Sequence, residues 1–156
     1  MPLIKIETLI QAPIQRCFDL SRSIDLHQIS MEHTNEKAIA GRTSGLIQLG
    51  EQVTWQARHF GLTQKLTVQI TAFDAPYFFA DEMLKGAFQS FRHEHHFKAS
   101  ASATLMTDRF EFEAPLGVLG QIANRLFLTK YMKRLLQERN KTIQKIAESE
   151  RWKEVL

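Results

Sequence analysis

Val53-Thr54-Trp55-Gln56-Ala57-Arg58 is the stretch that decides the fold, because apolar and polar residues alternate along its whole length. The same alternation runs through residues 65–71, where Leu66, Val68 and Ile70 share one face. A period of two residues is that of a β-strand, whose successive side chains point to opposite faces. One apolar and one polar face is typical of an antiparallel sheet packed on one side only. The stretch therefore predicts antiparallel strands with one face on a core.

The segments on the N-terminal side predict a strand followed by two short helices. Leu3–Gln11 alternates as a strand, and Ala12-Pro13 then begins a helix, since proline suits the first helical turn. Ser23 is a suitable N-cap for a second helix that we expect to end near Met31. From His33 to Ala114 the pattern is strand-like, with glycines at the expected turns and bends: Gly41, Gly45, Gly50, Gly61 and Gly86.

The C-terminal side predicts two more strands and one long helix. The strands cover about Phe88–Lys98 and Thr104–Ala114, joined by Ala99-Ser100-Ala101-Ser102. The helix runs from Leu119 to about Ser149. Its apolar residues recur at helical spacing: Ile122, Ala123, Leu126, Phe127, Met132, Leu135, Ile143 and Ile146.

The order of these elements has a physical consequence. A sheet of about six or seven strands with one apolar face must cover that face, and the long helix is the only element large enough. A curved sheet does not close against a straight helix along its whole length. We therefore predict an α+β fold, a curved antiparallel sheet wrapped round the C-terminal helix, with an apolar cavity between them.

Composition sets limits on the class of protein. With 44% hydrophobic and 24% charged residues, the 156-residue chain has the make-up of one globular domain, residues 1–156. Cys17 is the only cysteine, which excludes an internal disulfide and favours a cytoplasmic location. No secretory signal or membrane span is predicted. The net charge of +3 is too small to indicate nucleic acid binding.

Several short motifs, in this order and spacing, resemble the helix-grip superfamily, which holds the START-related (SRPBCC) domains and the polyketide cyclase/dehydrase-like proteins. The motifs are Ala12-Pro13, Cys17-Phe18, Gly86-Ala87-Phe88, the run Phe91-Arg92-His93-Glu94-His95-His96-Phe97, the run from Thr107 to Phe112, Pro115-Leu116-Gly117, and Leu135-x-x-Glu138-Arg139-Asn140. The resemblance covers essentially the whole chain. It implies a hydrophobic ligand cavity and, in a minority of members, cyclisation, dehydration or hydroxylation. It carries over no catalytic residue, because the superfamily has no universal catalytic motif.

A histidine and an aspartate are expected to meet on the apolar side of the last hairpin. Pairing Phe91 with Phe110 places His93 opposite Asp108; a slip of two residues would bring His95 to Asp108 instead. An unpaired polar group on the packed side would cost a few kcal/mol, so contact is expected.

Three interpretations of this pair stay open. It can be a structural pair that fixes strand register, or an acid–base pair that moves a proton on a bound carbonyl compound. The third is metal binding by His93, His95 and His96, which is disfavoured because His96 points to the other face of the strand. We therefore predict no metal and no cofactor.

The residues expected to face the cavity combine an apolar wall with a few polar groups. They are Trp55, His59, Val68, Phe79, Phe91, His93, Asp108, Phe110, Phe112, Leu126 and Phe127. Glu51 and Asp81 also fall on apolar faces, and we interpret them first as solvated rim residues and second as polar contacts in the cavity. Cys17 lies in an apolar helical stripe and is expected to be inert.

Three functions are compatible with this sequence. The first is binding of a small hydrophobic or amphipathic ligand, as a carrier or sensor. The second is a cyclase/dehydrase-type enzyme that uses His93 and Asp108. The third is a regulatory interaction protein, for which no residue argues specifically. The basic residues of the last helix are interpreted as a solvated face rather than a docking site for an anionic membrane. The sequence leaves the ligand's identity and the oligomeric state open.

Overall fold

The computed structural model describes residues 2–114 and 121–156. For residues 121–125 it describes the backbone alone, and from residue 126 onward it describes the side chains as well. The predicted Pro115-Leu116-Gly117 motif, the helix start at Leu119, and the side chains of Ile122 and Ala123 lie outside the described part. The chain has the predicted α+β architecture.

Seven antiparallel strands form one sheet in the described residues, in the order β1-β7-β6-β5-β4-β3-β2. Their bounds are β1 Leu3–Ile10, β2 Lys37–Gly41, β3 Gln52–His59, β4 Leu62–Asp74, β5 Phe78–Lys85, β6 Ser90–Ser100 and β7 Ala103–Glu113. The register shifts once between β2 and β3 and twice between β4 and β5. Such bulges bend a strand and increase its twist, which curves the sheet.

Two short helices follow β1, as predicted: α1 is Ile14–Ser21 and α2 is Ile24–Ser30. Pro13 precedes α1, and the Ser23 side chain caps α2 by accepting a hydrogen bond from the Leu26 N–H at 3.1 Å. A 3₁₀ turn, Glu32–Thr34, then leads into β2.

The long helix α3, Gln121–Ala147, packs against β1, α1 and α2, and a last short helix α4 covers Trp152–Val155. Leu135, Ile143 and Ile146 are buried as predicted, and Met132 is partly buried against the core. Leu126 and Phe127 are instead 62% and 56% exposed. Leu126 and Phe127 therefore do not continue the buried stripe. None of the helices in the described residues is both long and apolar enough to cross a membrane.

The predicted register of the β6–β7 hairpin was wrong by two residues. Phe91 pairs with Phe112, and His95, rather than His93, lies opposite Asp108, which is the slipped alternative. The strands continue to Ser100 and Ala103, so the turn contains only Ala101 and Ser102. Ala101 adopts a positive φ of 54°, a conformation usually given to glycine or asparagine in such turns. Because Ala101 is neither glycine nor asparagine, the sequence did not indicate a two-residue turn, and a four-residue connection was predicted instead.

Candidate functional site

A cavity of about 450 Å³ lies between the concave face of the sheet and the helices. Its wall is mainly aromatic and aliphatic, and includes Trp55 and Val68 from the middle of the sheet and Phe91 and Phe110 from β6 and β7. Trp55 also stacks on the His27 ring of α2, with centroids 4.2 Å apart. The volume is within the range that encloses a small organic molecule.

A group of two histidines and two aspartates, all buried except the half-buried Asp81, interrupts this apolar surface; we call Asp81, His93, His95 and Asp108 the His–Asp cluster. His93 Nε2 lies 2.8 Å from Asp108 Oδ1, and His95 Nε2 lies 2.9 Å from Asp81 Oδ1. The two imidazole rings are 3.8 Å apart at their centroids. Asp81 and both histidines line the cavity, while Asp108 is fully buried behind them.

The predicted histidine–aspartate contact is therefore present although the register differs. His93 reaches Asp108 diagonally from a position opposite Phe110, and the Nδ1 atom of His95 is 3.3 Å from the same carboxylate oxygen. Diagonal neighbours on one sheet face remain within reach of long side chains. Both histidines that the sequence offered as partners thus contact Asp108.

Helix α3 supplies two further partners of Asp108. Asn140 Nδ2 donates a hydrogen bond to Asp108 Oδ2 at 2.6 Å, and Arg139 Nη1 lies 3.6 Å from Asp108 Oδ1. Arg139 also donates to the Asn140 side chain and to the backbone oxygen of Ser21. This buried network joins the helix to the sheet at the cluster.

The network sets the protonation states of the cluster. Burial raises the pKa of Asp108, but contacts with His93 and His95 and the charge of Arg139 outweigh it and hold that pKa well below its usual range. Burial, followed by the neighbouring His95, lowers the pKa of His93 to about 4 despite its bond to Asp108. At neutral pH His93 is therefore uncharged. Its Nε2–H donates to the ionised Asp108, and Nδ1 keeps a lone pair.

A second polar contact lies where the cavity meets solvent. The His59 Nδ1 and Tyr131 Oη atoms are 2.6 Å apart, and Phe60 and Phe127 line the cavity while more than half exposed. Phe60 packs against both Phe127 and Tyr131. We call Phe60, Phe127 and Tyr131 the aromatic rim; it connects the β3–β4 turn with α3.

The structure brings most of the predicted cavity residues into the wall and places three elsewhere. The residues in the wall are Trp55, His59, Val68, Phe79, Phe91, His93, Phe110 and Phe127. Asp108 lies behind the histidines, Phe112 is fully buried in the core, and Leu126 faces solvent. Phe112 packs edge-on against Phe88, which lines the wall in its place.

Three contributors to the site were missed or misjudged from sequence. Asp81 lies in the cavity wall with 17% of its side chain exposed, so its interpretation as a rim residue first was wrong. Arg139 was counted among the basic residues of a solvated helix face, which was wrong for this residue because it is only 5% exposed, and Asn140 appeared only as part of a family motif. A signal was present: Arg139 lies midway between Leu135 and Ile143 at four-residue spacing, so it had to share their buried face.

No protein-family model and no curated protein matches this sequence. Solved structures do match. TTHA0849 from Thermus thermophilus superposes with a TM-score of 0.72 at 16% identity, covering 91% of this chain and 97% of that one. Major latex-like protein 151 from Panax ginseng gives 0.68 at 15% identity, covering 94% and 97%. Ara h 8.0201 gives 0.63 at 10% identity, covering 91% and 97%. At these identities the likeness is one of fold: the chain has the START-like helix-grip fold.

The His93 protonation state predicts a specific acid sensitivity. In chelator-treated, metal-free protein, we expect stability to fall as the pH drops from about 6.5 towards 4. In that pH range a histidine in the unfolded chain, whose pKa is about 6.5, becomes protonated. His93 in the folded protein stays neutral because its pKa is about 4, so protons favour the unfolded state. A shift of this size corresponds to about 3 kcal/mol. The measurement is the urea unfolding free energy at pH 7, 5.5 and 4.

The control for this experiment is His93→Gln, which keeps a donor for Asp108 and removes the titrating group. Other groups near His93 also titrate or carry charge: Asp81, His95, Asp108 and Arg139. Because these groups are retained in the variant, the difference between the two pH profiles reports His93 together with its effect on the pKa of Asp81 and Asp108. Parallel profiles would contradict the prediction.

Proposed function

We propose that the protein binds a small amphipathic molecule in its cavity, with the apolar body against the aromatic wall and a polar group at the His–Asp cluster. The observation that carries this proposal is a cavity of about 450 Å³ whose largely apolar wall contains a buried, hydrogen-bonding cluster. Such pockets typically use a few polar groups to orient a ligand. The single buried thiol, Cys17, is consistent with a cytoplasmic carrier or sensor.

The protonation of His93 favours binding over turnover. A neutral histidine held by a carboxylate has the geometry of an oriented general base. However, a pKa of about 4 makes it a weak base at neutral pH, whereas an efficient general base has a pKa near the working pH. A cyclase/dehydrase-type reaction through His93 and Asp108 is therefore our second candidate.

Trp55 provides a direct reporter of cavity occupancy. The chain contains two tryptophans, and Trp152 lies outside the cavity wall beneath Arg16. A Trp152→Phe background leaves Trp55 as the only indole. Titration with fatty acids, sterols and polycyclic phenols should change its fluorescence for at least one class. If all three classes leave both the fluorescence and the thermal midpoint unchanged, the proposal is wrong.

Filling the cavity should weaken that binding. Ala57 is buried and lines the wall, so Ala57→Phe places a ring in the space that the ligand would occupy. We expect affinity for any ligand found in the screen to fall at least about tenfold, equivalent to about 1.4 kcal/mol. The matched control is Ala99→Phe, the same change at an exposed strand position. Equal affinity in both variants would place the ligand outside the cavity.

A further inference from the structure

Three side chains with metal-ligating atoms converge on one point of the cavity wall. Asp81 on β5 lies directly opposite His93 on β6, and His95 follows two residues later on the same face. One ligand atom from each of the three lies within 4.8 Å of the other two. All three residues stand on paired strands, so their relative positions are fixed by the sheet.

The spacing of the closest pair already suits a shared ion. Asp81 Oδ1 and His95 Nε2 are 2.9 Å apart and hold one proton between them. Two ligands of one ion, each at about 2.1 Å from it, are separated by roughly 3.0 to 3.4 Å. A cation can thus take the place of this proton with a small movement, leaving His95 with its hydrogen on Nδ1, which lies 3.3 Å from Asp108 Oδ1.

Asp108 holds the His93 ring in one tautomer. Its carboxylate accepts a hydrogen bond from His93 Nε2 at 2.8 Å, which leaves the lone pair on Nδ1. Histidines that ligate metals commonly donate their other ring N–H to a carboxylate, which fixes the tautomer and the ring orientation. Asn140 in turn holds Asp108 through its other oxygen.

The charges of the cluster favour a cation. Asp81 and Asp108 place two carboxylates beside the two histidines, and the Arg139 Nη1 atom lies 3.6 Å from Asp108 Oδ1. A divalent cation at Asp81 would complement these carboxylates.

The ligand types identify the class of ion. Calcium and magnesium prefer oxygen ligands, so two imidazoles disfavour both. Two histidines and one carboxylate are the ligand set of zinc sites with an open position and of non-haem iron(II) sites. His96, the third histidine of the run, points to the opposite face and contacts Glu94. The sequence predicted no metal because Asp81, on the neighbouring strand, was not recognised as a ligand.

We propose that Asp81, His93 and His95 bind a divalent transition-metal ion of the zinc or iron(II) class, whose remaining coordination positions face the cavity. The site does not depend on whether the cavity takes up an apolar ligand.

The test begins with protein stripped by EDTA. Titration with Co²⁺ should produce visible d–d absorption that saturates at one equivalent, and calorimetric titration with Zn²⁺ should give the same stoichiometry. X-ray absorption of the zinc-loaded protein should show two histidines at the ion. Absence of a saturable cobalt spectrum, or an absorption spectrum without histidine scattering, would overturn the proposal without any variant.

Substitutions then assign the ligands. His95→Gln and Asp81→Asn should each weaken zinc binding on the order of 100-fold, since loss of a supporting partner alone costs roughly 10–100-fold. His96→Gln, a change in the same histidine run but on the outer face, should bind zinc as the unaltered protein does. Circular dichroism and thermal unfolding in EDTA establish that each variant is folded. Unchanged affinity in folded His95→Gln and Asp81→Asn would show that zinc binds elsewhere.

The experiment separates this proposal from the cavity proposal. Fluorescence titrations of Trp55 with apolar ligands are repeated in EDTA. Ligand binding without zinc binding overturns only the metal site, and zinc binding without any ligand response overturns only the proposed function.

Discussion

Replacing Asp108 by alanine is expected to lower the free energy of unfolding by about 3–5 kcal/mol, the cost of breaking a buried ion pair by removing one partner. Asp108 has no exposed surface and accepts from His93 and Asn140 while facing Arg139. In the variant, the charge of Arg139 and two N–H donors lose their acceptor in a buried environment. Chemical denaturation at pH 7 measures the loss.

Glu113→Ala is the matched control for Asp108→Ala. Glu113 ends the same strand and is exposed, so its removal should change the unfolding free energy by less than about 0.5 kcal/mol. A cost below about 1 kcal/mol for Asp108→Ala would mean that the network contributes little to holding α3 on the sheet.

Replacing Phe18 by alanine is expected to cost a similar amount, about 3–5 kcal/mol, because it leaves a cavity in the core. The Phe18 ring is fully buried and packs edge-on against Phe73, Phe79 and Phe97, with centroids 5.4 to 5.5 Å away. Phe79 in turn stacks on His95 at 4.1 Å. We therefore expect Phe18→Ala to loosen the His–Asp cluster as well as the core.

The control for Phe18→Ala is Phe60→Ala, the same change in a ring that is 54% exposed. Its unfolding free energy should fall by less than about 1 kcal/mol. Similar losses in both variants would contradict the assignment of Phe18 to the core. The chemical shift of His95 in NMR spectra should change only in Phe18→Ala, because Phe60 lies in the aromatic rim.

Much of the fold could be predicted because strand periodicity encodes which face is buried. The alternation from Val53 to Ala57 placed Val53, Trp55 and Ala57 on the inner face, and all three are buried. Periodicity does not encode register, however, since a slip of two residues keeps every side chain on its face. In the β6–β7 hairpin, the prediction that His93 and Asp108 lie on the packed face was correct, whereas the predicted residue pairing was wrong by two positions.

The site was harder to predict because its polar groups belong to elements distant in the sequence. Asp81 joins the His–Asp cluster only because β5 pairs with β6, and Arg139 joins it only because α3 packs over the sheet. Neither contact can be read from the local sequence. Leu126 and Phe127 satisfied a helical pattern yet face solvent or the cavity opening, because that part of α3 lies over the hollow rather than on the sheet. An apolar stripe on a helix predicts that the stripe contacts an apolar surface, but it does not show whether that surface is the sheet, another helix or a bound ligand.

The unequal anchoring of α3 suggests how a guest molecule could enter. Around Arg139 and Asn140 the helix is held by buried hydrogen bonds and the charge of Arg139, whereas Tyr131 contacts β3 through a hydrogen bond to His59 and through the half-exposed rings of the aromatic rim. Local opening draws on the least stable contacts. A guest molecule that enters beside Tyr131 would therefore displace contacts of the aromatic rim and leave the buried bonds of Arg139 and Asn140 in place.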